Sequence, residues 1–112
     1  MQPESKKLLW DARNAMERIS RFIKDKNFTD YCADDMLRSA VERQFEITGE
    51  AFAQLRKLDG ETAALVPDLP RIIAFRNVLV HGYATVDNQI VWGIIEASLR
   101  ALRVTVEELL DA

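Results

Sequence analysis

The sequence predicts an all-α fold, an antiparallel bundle of four helices. Apolar residues recur at three- and four-residue spacing through four segments, the signature of helices with one buried face. The connections between those segments are short, apart from one linker at residues 59–69, which favours antiparallel neighbours. No repeat, low-complexity tract or convincing strand interrupts them. At 112 residues the chain reads as one domain, residues 1–112, with a modest core.

The first helix is expected from Ser5, a plausible N-cap, to about Lys26. Its apolar positions are Leu8, Leu9, Ala12, Ala15, Met16, Ile19, Phe22 and Ile23. Lys7, Arg18 and Arg21 line its other face, either as a solvated surface or as a surface for RNA or a partner. The segment KNFTD breaks the pattern, and Thr29 or Asp30 can cap a second helix running from about 30 to 58. Gly49 interrupts that helix at a cost of about 1 kcal/mol against alanine unless something packs closely there. Glu50 follows it, either as a surface glutamate or as a partner for Arg76.

Residues 59–69, DGETAALVPDL, form the linker, with Pro67 and Pro70 punctuating the approach to a third helix. Pro70 suits a first helical turn, and Gly82 can close the helix in the left-handed conformation. Asp87 is the expected N-cap of the fourth helix, with Val86 and Val91 placed for a hydrophobic staple. That helix continues to about Leu110, with a kink or early end expected near Val104, Thr105 and Val106. Phe45, Val78 and Trp92 lie off the main apolar stripes, which points to a dimer face.

Composition narrows the function. An apolar content of 48% with 29% charged residues is ordinary for a soluble globular chain. No apolar run approaches the roughly 20 residues that span a bilayer. MQPESKKLLW has no secretory hydrophobic region, so a cytosolic location is expected. A single cysteine, Cys32, excludes an internal disulfide, and with one histidine a structural zinc site cannot be built from one chain. The net charge of −3 argues against non-specific coating of nucleic acid. Charge is uneven, however, with seven basic and four acidic residues in 1–26 and eight and fourteen in the remainder, so a polyanion would need a local patch.

The stretch PRIIAFRNVLVHGYATVD carries the chemistry-bearing residues. At about 100° per residue, Ile72, Ile73, Leu79 and Val80 flank Arg76 on both sides, which sets an arginine in the most apolar stripe of its helix. A buried guanidinium is costly unless it is paired or faces a wet cleft. Asn77 and His81 share a neighbouring face, and Tyr83 follows just past the glycine. Such a set suits phosphodiester cleavage. An imidazole ordinarily titrates near about 6.5 and can give or take a proton. A guanidinium can stabilise the charge that builds on phosphorus, and Asn77 can orient the phosphate or the imidazole. RNA supplies its own nucleophile, the 2′-hydroxyl, so no metal or cofactor is needed. Two proton-transfer groups serve best, and a homodimer placing both His81 copies in one cleft would provide them. On spacing alone, His81 reads more readily as a capping or core residue than as a functional one, and Arg76 equally well as a structural arginine.

RNVLVHGY has the pattern R-N-x-x-x-H-x-Y and resembles the signature of HEPN-domain toxins, specifically the HepT-like proteins of MNT/HEPN (type VII) toxin–antitoxin pairs. AVERQFEITGEAF is similar to that family's helix before the linker, and PDLPRIIAFRNVLVHGYATVDNQIVWGII to its central and fourth helices. The resemblance implies a four- to five-helix HEPN-like bundle, homodimeric, with the motifs meeting at the interface. It also implies a metal-independent endoribonuclease toxin in which Arg76 and His81 match the catalytic pair and Asn77 the polar residue beside the arginine. Tyr83 matches the tyrosine to which a partner nucleotidyltransferase antitoxin transfers AMP, adding negative phosphates that repel RNA. The other reading is a non-catalytic HEPN module that docks a nucleotidyltransferase or binds a nucleotide.

Overall fold

The computed structural model describes residues 1–82 and 86–112. Pro3 opens helix α1 (Pro3–Phe22), its fixed φ being preorganised for a first turn. The helix therefore starts two residues before Ser5, which is a buried residue inside it rather than its cap. The Ser5 hydroxyl donates to Asp59 Oδ2 at 2.8 Å, tying the start of α1 to the end of another helix. The helix ends at Phe22, short of the Lys26 expected, and Asp25 beyond it takes a φ of 61°.

The long second helix of the sequence reading is two helices, α2 (Phe28–Ala33) and α3 (Asp35–Leu58). Asn27, not Thr29 or Asp30, caps α2. Its side-chain oxygen accepts the Asp30 N–H at 2.8 Å, and the Asp30 carboxylate accepts the Asn27 N–H at 3.0 Å, so two orphan donors are satisfied reciprocally. Asp34 leaves the helical region at φ −119°, ψ 98°, and its carboxylate accepts the Leu37 N–H to start α3. Arg38 reaches back across the break and donates to the Tyr31 and Cys32 carbonyls, which end α2. Helix α3 then runs unbroken through Gly49.

Part of the expected linker is folded. Asp59 caps α4 (Gly60–Ala63), accepting the Thr62 N–H at 3.1 Å and the Thr62 hydroxyl at 2.6 Å. Ala63, Val66 and Leu69 are buried, so this segment closes one end of the core. Helix α5 (Leu69–His81) has Pro70 in its first turn. It ends before Gly82 as expected, but Gly82 is extended (φ −77°, ψ 125°) and not left-handed. Glycine is required there by close approach: its N–H donates to the Val78 carbonyl at 2.7 Å, and a Cβ would collide with that oxygen.

Asp87 caps α6 (Asn88–Ile94) by accepting the Gln89 N–H at 2.8 Å, with Val91 buried and Val86 packed against the core. A π turn, Ile95–Leu99, joins α6 to α7 (Arg100–Asp111). The irregularity thus precedes Val104–Val106, which continue as regular α-helix. Ser98, buried in the π turn, donates to Asp68 Oδ2 at 3.0 Å and so binds this turn to the start of α5.

Helix α3 lies at the centre, packed on α1 along one side and α5 along another, and α7 covers α1. Leu9, Met16, Ile19, Phe52, Leu55, Ile72, Ile94, Leu102 and Val106 fill the space between them. Two residues expected at a dimer face find packing partners within the chain. Phe45 is buried edge-to-face against Phe75, with ring centroids 5.4 Å apart. Trp92 packs against Tyr31 and Phe28, because the helix break at Asp34 lets α2 fold onto α6. Only Val78 of the three faces outward. No helix of the described residues is long and apolar enough to cross a membrane.

Candidate active site

Arg76 is set by the close approach of two helices. A Cβ on Gly49 would collide with the Arg76 Cβ and lie 2.9 Å from its Cγ and 3.2 Å from the Ile72 carbonyl oxygen. The arginine stem therefore crosses α3 at the one point where α3 has no side chain. This is the packing that compensates a glycine in mid-helix. Beyond the stem, Arg76 Nη2 lies 3.0 Å from Glu50 Oε2, with the arginine side chain 18% exposed and the glutamate 52%. The other Glu50 oxygen accepts the Gln54 amide at 3.0 Å, so the carboxylate is oriented from both ends. Gln54 was not among the residues singled out in the sequence, although its i, i+4 spacing from Glu50 is the signal for such a bond.

The apolar stripe expected around Arg76 is only partly buried. Ile72 and Ile73 are in the core, together with Phe75, Leu79 is half-buried, and Val80 is exposed. Arg76 thus stands at the edge of the core, where a paired guanidinium can reach solvent without the full cost of burial. Its Nε is buried without a hydrogen-bond partner among the described residues. The guanidinium opens into a cleft of about 420 Å³ between α1, α3 and α5, whose α5 wall is Arg76 and Val80.

Asn77 and His81 are exposed, on a different face. Helical geometry puts His81 about 40° from Asn77 but about 140° from Arg76, and about 7.5 Å beyond Arg76 along the axis. Within one chain the fold pairs Arg76 with Glu50 and sets Asn77 beside His81. It turns the two pairs toward different sides of α5. Val78 and Val80, both about half exposed, lie on the same last turns. Tyr83 lies outside the described residues.

Comparison with known proteins gives a consistent answer. The family description Ribonuclease HepT-like matches residues 12–109. A relative from Methanocaldococcus jannaschii, named a "putative RNase", is 28% identical over 104 residues, covering 91% of this chain and 93% of the relative. The "probable ribonuclease HepT" of Thermococcus cleftensis is 29% identical over 111 residues, covering 97% of this chain and 98% of its own. A "putative RNase" of Caldanaerobacter subterraneus subsp. tengcongensis is 31% identical over 110 residues, covering 98% and 94%. No solved structure matches the chain.

Proposed function

Because this chain belongs to the HepT-like ribonuclease family, we propose that it is an endoribonuclease toxin that cleaves RNA without a metal. Its groups would be Arg76, Asn77 and His81, drawn from two copies of the chain. The observation that carries this reading is the placement of Arg76. A guanidinium is anchored by its stem on Gly49 and by Glu50 on its head, at the mouth of an open cleft, with an exposed imidazole one to two turns further on.

In the proposed reaction the RNA 2′-oxygen attacks the adjacent phosphorus while one imidazole takes the 2′-hydroxyl proton. The bond from phosphorus to the 5′-oxygen breaks, and a second imidazole, in its protonated form, donates a proton to that leaving oxygen. The products are a 2′,3′-cyclic phosphate and a 5′-hydroxyl. Arg76 stabilises the charge on the phosphoryl oxygens and Asn77 orients them. One chain holds one histidine, so the second copy comes from a dimer in which Val78 is covered. Activity is switched off when a partner nucleotidyltransferase antitoxin of the MNT type transfers AMP from ATP to the Tyr83 hydroxyl, which loses its proton as pyrophosphate leaves, adding negative charge beside the strand.

The test is cleavage of RNA by the purified protein. His81→Ala should slow it by about 10²–10⁴ and Arg76→Ala by about 10²–10³, with helicity retained in both. A wild type that leaves RNA intact, or a His81→Ala protein that cuts as fast, refutes the nuclease reading. Tyr83→Phe should abolish AMP attachment, and an AMP mass increment on that variant refutes the tyrosine assignment.

A further inference from the structure

The cleft that opens from Arg76 is more than the mouth of the proposed site. Helices α1 and α3 run antiparallel along it, as the Ser5–Asp59 bond at one end requires. That register gathers Arg18 of α1 and Arg43 of α3 at the opposite end, on the same cleft as Arg76. Three guanidinium groups from three helices, far apart in sequence, share one concave surface.

Three carboxylates, Asp11, Glu46 and Glu50, line the cleft with the three arginines, but they do not pair one to one. Arg43 pairs with Glu46 at 3.1 Å and Arg76 with Glu50 at 3.0 Å, while the cleft's remaining carboxylate, Asp11, is held by Lys7 at 2.7 Å. Arg18 has no ion pair among the described residues. In a chain with a net charge of −3, the lining of this cleft is neutral, with Arg18 the one arginine whose guanidinium is not already held by a carboxylate among the described residues. Ile47 adds an apolar wall to the cleft, and Asn14 a polar amide. A volume of about 420 Å³ is in the range of pockets that seat a nucleotide-sized group.

We infer that this cleft seats the single-stranded RNA next to the scissile bond, with Arg18 contacting a backbone phosphate away from the reacting one. The inference rests on RNA being the substrate. It adds the path of the strand, from the α5 wall at Arg76 and Val80 toward the α1 wall at Arg18. It also accounts for how an acidic protein holds a polyanion, since the strand meets a local cationic end and the net charge lies elsewhere.

The experiment measures binding of a fluorescent single-stranded RNA oligonucleotide to full-length His81→Ala protein, so that the probe is not consumed. Arg18→Gln is added and compared with Arg21→Gln, which removes the same charge from an exposed position outside the cleft. Arg18→Gln should weaken binding about fivefold beyond the effect of Arg21→Gln at about 0.1 M salt. It should also reduce the slope of log K against log salt by about 0.7, the loss of one phosphate contact on a single strand. Arg18→Lys should restore most of both. Equal effects of the two glutamine variants overturn the inference, as does failure of the His81→Ala protein to bind the RNA at all. If wild type binds with these Arg18 effects yet does not cut, the strand path stands and the nuclease reading falls.

Discussion

Gly49→Ala tests the contact on which the position of Arg76 depends. The new methyl would sit against the Arg76 Cβ, 2.9 Å from its Cγ and 3.2 Å from the Ile72 carbonyl oxygen. Neither neighbour is the loose end of a side chain. One is the stem of Arg76 and the other is the backbone of α5, so the two helices must part. Overpacking of this kind costs about 1–3 kcal/mol. Alanine also returns about 1 kcal/mol of helix propensity, which blurs the net effect. Gly93→Ala removes that ambiguity. It too is a helical glycine, in α6, but its Cβ would meet nothing within 4 Å, so it should gain about 1 kcal/mol. The difference between the variants isolates the steric cost, about 1–3 kcal/mol. Urea unfolding followed by circular dichroism measures it, with unchanged m-values as the check on the unfolded state. If Gly49→Ala proves as stable as Gly93→Ala, α5 does not lie on α3 at this point.

Two further outcomes concern the ends of helices. The Thr62 hydroxyl, then the Ser5 hydroxyl, hold the Asp59 carboxyl below the usual aspartate value. Its contribution to stability is therefore present above the unfolded value of about 3.9 and lost as pH falls through the lower folded one. Ser5→Ala and Thr62→Val should each flatten the loss of Tm on the acid side, and an unaltered acid limb in both would show that these bonds do not form. Asn27→Ala removes the α2 cap and should cost about 1 kcal/mol, whereas Thr29→Ala should stay within about 0.5 kcal/mol. Thermal melts of the two variants that reverse this order would place the cap at Thr29.

Much of the fold is legible in short stretches of sequence. Spacing along Leu9, Ala12, Met16 and Ile19, and along Val91, Ile94, Leu102 and Val106, names the faces that are buried, since a helix repeats every three or four residues. Asp87 is legible as a cap because the bond it makes spans two residues. Other local signals compete. Asn27, Thr29 and Asp30 are all good caps, and the capping box favours Asn27 because Asp30 answers it from three residues on. The break at Asp34 is hidden in the sequence by apolar spacing that continues on either side. Gly82 reads as a left-handed stop, yet the nearby Val78 carbonyl selects it for lack of a side chain.

The sequence by itself determined most of the helical segments, their buried faces and the set of residues fit for phosphodiester chemistry. All of these follow from spacings of a few residues, within which backbone hydrogen bonds and side-chain caps are made. Only the tertiary structure decided that Glu50 meets Arg76 from 26 residues away and that Gly49 is the gap through which the arginine stem passes. Those outcomes depend on the angle and depth at which α5 settles on α3. Close packing of many side chains sets that angle and depth, and no single stretch encodes them.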